Sequence, residues 1–122
     1  MADKIVQLKD KGNNLYPIGV GGYNVYSTSE MVIGKWIDSK VIYRQVFQYT
    51  LSGNSWNTVG TITGIGDVVR IYGAYKRSNG IQTEFPRSTI DTYIEANGTI
   101  HVRDTEGNGG NVKCIVEYTK SN

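Results

Sequence analysis

The sequence predicts an all-β domain, an antiparallel β-sandwich of jelly-roll-like character, preceded by an extended N-terminal lead-in. Three observations predict it. Apolar and polar residues alternate with period two along most of the chain, as in Val112-Lys113-Cys114 and Val116-Glu117-Tyr118, which places one set on each face of a pleated strand. Turn formers interrupt these runs at intervals of roughly 8–12 residues, the spacing of sandwiches and barrels. Fifteen glycines stand against two prolines, and glycine accepts the positive φ angles that tight hairpins demand. No window of about ten or more residues shows helical spacing with caps at both ends.

In chain order, residues 5–9 read as a first short strand, stopped by the turn formers Asp10-Lys11-Gly12-Asn13-Asn14. Leu15-Tyr16-Pro17-Ile18 follows, with Pro17 fitting only an edge or an extended segment. Gly19-Val20-Gly21-Gly22 is a hinge, so residues 1–22 are expected as an attachment segment and residues 23–122 as the sandwich domain. Met31 to Ile37 and Val41 to Phe47 flank Asp38-Ser39-Lys40 as a hairpin. On the second arm Val41, Tyr43, Phe47 and Tyr49 share one face, and Arg44 and Gln48 share the other with Ile42 and Val46. A strand apolar on both faces lies inside a sandwich or against a neighbouring subunit.

Ser52-Gly53-Asn54-Ser55 is a turn, and Val59 to Ile62 a short strand. Asp67 to Arg77 is a long strand, with Val69, Ile71 and Tyr75 opposite Arg70, Tyr72 and Lys76. Ser78-Asn79-Gly80 turns the chain into the strand ending at Phe85. Ile90 to Glu95 and Thr99 to Arg103 form a further hairpin, for which Asn97-Gly98 is the preferred type I′ pair. Asp104 to Gly110 is a glycine-rich hairpin loop before the last strand, where Val112, Cys114, Val116 and Tyr118 alternate with Lys113, Glu117 and Thr119.

The chain's 122 residues suffice for one core. A net charge of +2 with interspersed signs contains no basic block of the kind that tracks a phosphate backbone, so no nucleic acid is expected. No run of about 18 apolar residues occurs, and no membrane insertion is expected. The N-terminus shows no apolar core of a signal peptide, which leads us to expect synthesis in a cytoplasm. Met1 and the short lead-in suggest a small standalone product attached through residues 1–22 to something larger. Cys114 is the single cysteine; it cannot form an internal disulfide and reads as a small buried hydrophobe.

Chemistry-bearing residues offer little for catalysis. His101 alternates with Ile100 and Val102 and reads as an exposed strand histidine, since no second histidine completes a metal site. Of the carboxylates Asp67, Glu84, Asp91, Glu95, Asp104, Glu106 and Glu117, most flank turns or alternate outward, the solvated position. Asp104-Thr105-Glu106-Gly107-Asn108-Gly109 resembles half a calcium loop, but Ile115 stands where the bidentate Glu belongs. No catalytic residue, metal or cofactor is expected. Among the aromatics, Trp56 sits in a polar loop and Tyr72 on the polar face of its strand beside Arg70. Aromatic faces stack on sugar rings, making Trp56, Tyr72 and Arg70 the candidate ligand-binding residues. Burial of Trp56 over the core or at a subunit interface is the alternative, and the sequence leaves both open.

The run from Tyr26 to Arg44 resembles a pattern recurrent in tail-fibre and baseplate proteins of phages and prophages, in which a Ser-Thr-x-Glu stretch leads into Gly-x-Trp-Ile-Asp-Gly-Lys-Pro-Ile-Tyr-Arg. Gly34, Trp36, Ile37, Asp38, Lys40, Ile42, Tyr43 and Arg44 match it, while Ser39 and Val41 replace its Gly and Pro. Lys9 to Ile18 and the closing Glu117-Tyr118-Thr119-Lys120 are similar to the lead-in and last strand of such domains. The resemblance implies a homotrimeric β-sandwich head in a virion tail, joined to other tail proteins and adsorbing to a host-surface saccharide or protein. It carries no residue-level binding motif. A structural fibre connector or baseplate joint is the alternative role, and a glycan-depolymerising enzyme a third.

Overall fold

The computed structural model describes residues 25–121 together with two short N-terminal strands, β1 (Gln7–Lys9) and β2 (Leu15–Pro17), which pair antiparallel with each other. The expected hinge at Gly19 to Gly22, and the rest of the expected lead-in, lie outside the described residues. The remaining strands are β3 (Met31–Lys35), β4 (Val41–Leu51), β5 (Asn57–Thr61), β6 (Ile65–Arg77), β7 (Gln82–Phe85), β8 (Ile90–Ile94), β9 (Thr99–Asp104) and β10 (Gly110–Lys120). Among the described residues there is no helix, so none is long and apolar enough to cross a membrane.

The strands form a five-stranded sheet, β3-β4-β10-β6-β7, and a three-stranded sheet, β5-β9-β8, antiparallel throughout. β4 pairs β10 in the first sheet and β5 pairs β9 in the second. A ribbon of β4–β5 against β9–β10 therefore folds across both sheets, the nesting that marks a jelly roll. The core lies between the sheets. Leu51, Tyr75, Phe85, Val112, Cys114, Val116 and Tyr118 meet Val59, Ile90, Ile100 and Val102, with Tyr43 and Phe47 packed against them. The expected alternation on β4, β6 and β9 follows this division between core and outer face.

Three hairpins close with one design. Ser39 N donates to Trp36 O at 2.9 Å, Gly80 N to Arg77 O at 2.8 Å, and Gly98 N to Glu95 O at 2.8 Å. The flanking pairs Trp36–Lys40, Arg77–Ile81 and Glu95–Thr99 are bonded at 2.8, 2.8 and 2.9 Å. In each loop the middle residue, Asp38, Asn79 or Asn97, accepts the amide N–H two residues on through its side-chain oxygen. The third residue is left-handed, with φ of 73° at Ser39, 93° at Gly80 and 91° at Gly98. This is the three-residue hairpin loop with a left-handed closing residue.

Three expectations need correction. Asn97-Gly98 is not a type I′ pair, because I′ needs positive φ at both residues and Ser39 is the one described non-glycine residue there. The loop after Asp104 is not a hairpin loop: β9 and β10 belong to different sheets, so it is a crossing. Glu117 and Thr119 are not solvated but buried. Glu117 stays on the outer face but is covered by its partners Arg44 and Tyr72, and Thr119 Oγ1 accepts the Asp67 amide at 2.9 Å beside the irregular pairing with β6.

Candidate functional site

The register of the three-stranded sheet sets one row of side chains on its outer face. Thr58 and Tyr93 each lie opposite His101, and Asp91 lies opposite Arg103. Directly paired residues are neighbours on one face. Tyr93 stacks on His101 with ring centroids 4.6 Å apart and planes at 22°. His101 Nδ1 lies 3.3 Å from Thr58 Oγ1, and its Nε2 is hydrogen-bonded to Glu95 Oε2. Arg103 Nη2 donates to Asp91 Oδ2 at 2.7 Å. The core-facing neighbours Ile100 and Val102 are fully buried beneath, so the row stands on a rigid floor.

Trp56 comes from the loop between β4 and β5 and closes this row. Its ring meets Tyr93 edge-on, 4.8 Å away at 86°, and the Arg103 guanidinium lies 4.5 Å from its centroid. Trp56 and Tyr93 nonetheless remain 40% and 43% exposed. Trp56 thus packs on the outer face of the small sheet and is not part of the core cluster. The pair forms two aromatic walls of a corner, with Arg103 and Asp91 beside it.

Tyr72 and Arg70 are elsewhere, on the outer face of the five-stranded sheet. Arg70 lies over the Tyr72 ring at 4.0 Å. The Tyr72 hydroxyl donates to Glu117 Oε2 at 2.6 Å, and Arg44 Nε donates to the same oxygen at 3.0 Å. Burial, reinforced by the Glu117 carboxylate, pushes the Tyr72 hydroxyl above the ordinary tyrosine range. The Arg44 guanidinium also lies over the Tyr26 ring at 4.4 Å. Arg70 and Tyr72 border a shallow open depression of about 200 Å³ with Glu84 and Pro86. The sheets separate these two residues from Trp56, so the three expected binding residues form two places, not one site.

Two carboxylates expected in solvent are buried structural groups. Asp104 accepts the Tyr75 hydroxyl at 2.7 Å and the Glu106 and Asn108 amides at 2.9 Å each. Burial opposes its charge, but these hydrogen bonds outweigh burial and hold its carboxyl below the usual aspartate range. Arg44 holds Glu117, as above. Glu30, also opposed by burial, is held below its usual range by Lys120 and the Tyr118 hydroxyl. Cys114 is buried, and burial pushes its thiol up to about 12, an inert hydrophobe at neutral pH.

Tyr93 is the site residue that sequence reasoning missed. The available signal is its position in Ile90-Asp91-Thr92-Tyr93-Ile94: an aromatic on the opposite face from Ile90 and Ile94. Comparison of the chain with protein-family models, with curated proteins and with solved structures finds no match.

Proposed function

We propose that this chain is the receptor-binding domain of a phage tail fibre or baseplate, a virion component that adsorbs to a host-surface saccharide through the Trp56–Tyr93 corner. The observation that carries the reading is the corner itself. Two large, half-exposed rings are fixed at 86° on a sheet face whose polar side chains are bonded to one another. Exposed aromatics in a preorganised setting are what stacking on the apolar face of a sugar requires. The resemblance of the Tyr26 to Arg44 run adds the virion context, and a homotrimer attached through residues 1–22 to other tail proteins is part of the proposal. Catalysis is not: Asp91, Glu95, Asp104 and Glu117 each hold a structural partner, which supports a binding role.

Whole-cell and glycan-array binding tests this directly. Trp56→Ala and Tyr93→Ala are expected to lower binding at least tenfold, with strand content by circular dichroism unchanged. Full binding by both variants would reject the corner as the site. A connector role has its own support: Ile37 at the tip of the β3–β4 hairpin is 90% exposed and Val32 on edge strand β3 is exposed too, apolar surface suited to a neighbouring tail protein. Absence of binding to any susceptible cell would favour it.

A further inference from the structure

We infer that the corner takes an electrically neutral saccharide and discriminates against acidic polymers, an inference that rests on the saccharide-binding reading above. The platform carries four side chains able to bear charge, and they are matched in two pairs. Arg103 donates to Asp91 at 2.7 Å, and His101 is hydrogen-bonded to Glu95. An acidic ligand, whether a uronate, a sialate or a polyol phosphate, needs a cation free to meet it. Here the guanidinium that faces the corner is already neutralised, and a bound anion would stand beside the Asp91 and Glu95 carboxylates. Like charges brought together across an interface disfavour the wrong partner.

A neutral hexose asks for something else, and the platform has it. Its C–H face needs apolar surface, which the exposed parts of the two rings supply at right angles to each other, His101 lying against Tyr93 and Arg103 over Trp56. Its hydroxyls need donors and acceptors at the rim. A carboxylate has two oxygens and a guanidinium five N–H groups, and the Asp91–Arg103 pair engages one oxygen and one terminal nitrogen. Arg103 Nε is buried, so the second Asp91 oxygen and the terminal guanidinium nitrogens serve hydroxyls without disturbing the pair. Because no net charge meets net charge, affinity should hardly respond to ionic strength.

The test titrates the full chain with neutral hexose oligosaccharides, with uronate oligosaccharides and with teichoic acid. Each titration is run at about 0.01 M and about 1 M salt, which shortens the screening length from about 30 Å to about 3 Å. The expected result is binding of a neutral oligosaccharide with a Kd that changes less than about twofold between salts, lost in Trp56→Ala. Asp91→Asn, which releases the Arg103 guanidinium, should gain uronate or teichoic acid binding at low salt and lose it at high salt. Preference of the unmodified chain for an acidic ligand, weakening tenfold or more with salt, would overturn this inference while leaving the saccharide reading intact. No binding in any arm would overturn both.

Discussion

At Ser39 the backbone holds a residue with a Cβ in the left-handed region, φ 73°, a conformation that costs an L-residue roughly 1–2 kcal/mol. Asp38 offsets part of this by accepting the Lys40 amide at 2.9 Å. The other two loops of the same design carry glycine there. Ser39→Gly is therefore expected to stabilise the fold by about 0.5–1 kcal/mol, read as a higher urea midpoint with unchanged slope. Gly98→Ala should do the reverse and cost more than about 2 kcal/mol. Besides its φ of 91°, an added Cβ would sit 1.9 Å from the Ile62 carbonyl oxygen. The end of β5 packs there because Ile62 N donates to Gly98 O at 2.9 Å.

Between strands, the two buried carboxylates act as fasteners. Asp104 fixes the crossing from β9 to β10 and ties it to Tyr75 on β6. Its native pKa lies below the ordinary value, so its contribution is complete above the unfolded-state pKa near ~3.9 and fades as pH falls through the native value. Asp104→Asn should cost about 2 kcal/mol at neutral pH, with the gap to the unmodified chain narrowing in denaturant titrations below about pH 4. Glu117 instead joins β10 to β4 and β6 on the outer face, through Arg44 and Tyr72. Arg44→Met leaves that carboxylate buried without its cation and should cost about 3–5 kcal/mol. Adding Glu117→Gln, which can still accept from Tyr72, should restore part of the loss in the same unfolding assay.

Loop type at this scale also decides the site. A two-residue turn at Asn97-Gly98 pairs Ala96 with Thr99 and sets Tyr93 opposite Val102. The observed three-residue loop pairs Glu95 with Thr99 and sets Tyr93 opposite His101. A one-residue slip exchanges the faces of a strand. The aromatic corner exists because the loop has three residues.

For the whole molecule, the sandwich presents two outer faces of different character. The small sheet carries the exposed corner. The large sheet carries the Arg44–Glu117–Tyr72 network and is flanked by residues 25–30, which lie along β4 through Ser27 O to Val46 N at 2.9 Å and Thr28 O to Gln45 Nε2 at 3.0 Å. The exposed Ile37 and Val32 on the β3–β4 hairpin are apolar surface that either the proposed homotrimer or a neighbouring tail protein would cover. Light scattering at micromolar concentration is expected to give three times the chain mass, and a clean monomer would reject the homotrimer.

By itself the sequence determined the β class, the strand positions and most of the inward and outward sides, because alternation is a local property that each strand carries in its own residues. Cys114 between Val112 and Val116 read as core and is core; Arg70 and Tyr72 read as outward and are outward. Only the tertiary structure decided which strands share a sheet, that the loop after Asp104 crosses between sheets, and that Glu117 and Thr119 are buried by partners on neighbouring strands and loops. It alone separated Trp56 from Tyr72 and joined it to Tyr93 and Arg103. Pairing brings together residues far apart in the chain, and its register depends on single residues in the loops, so neither pattern nor composition encodes it.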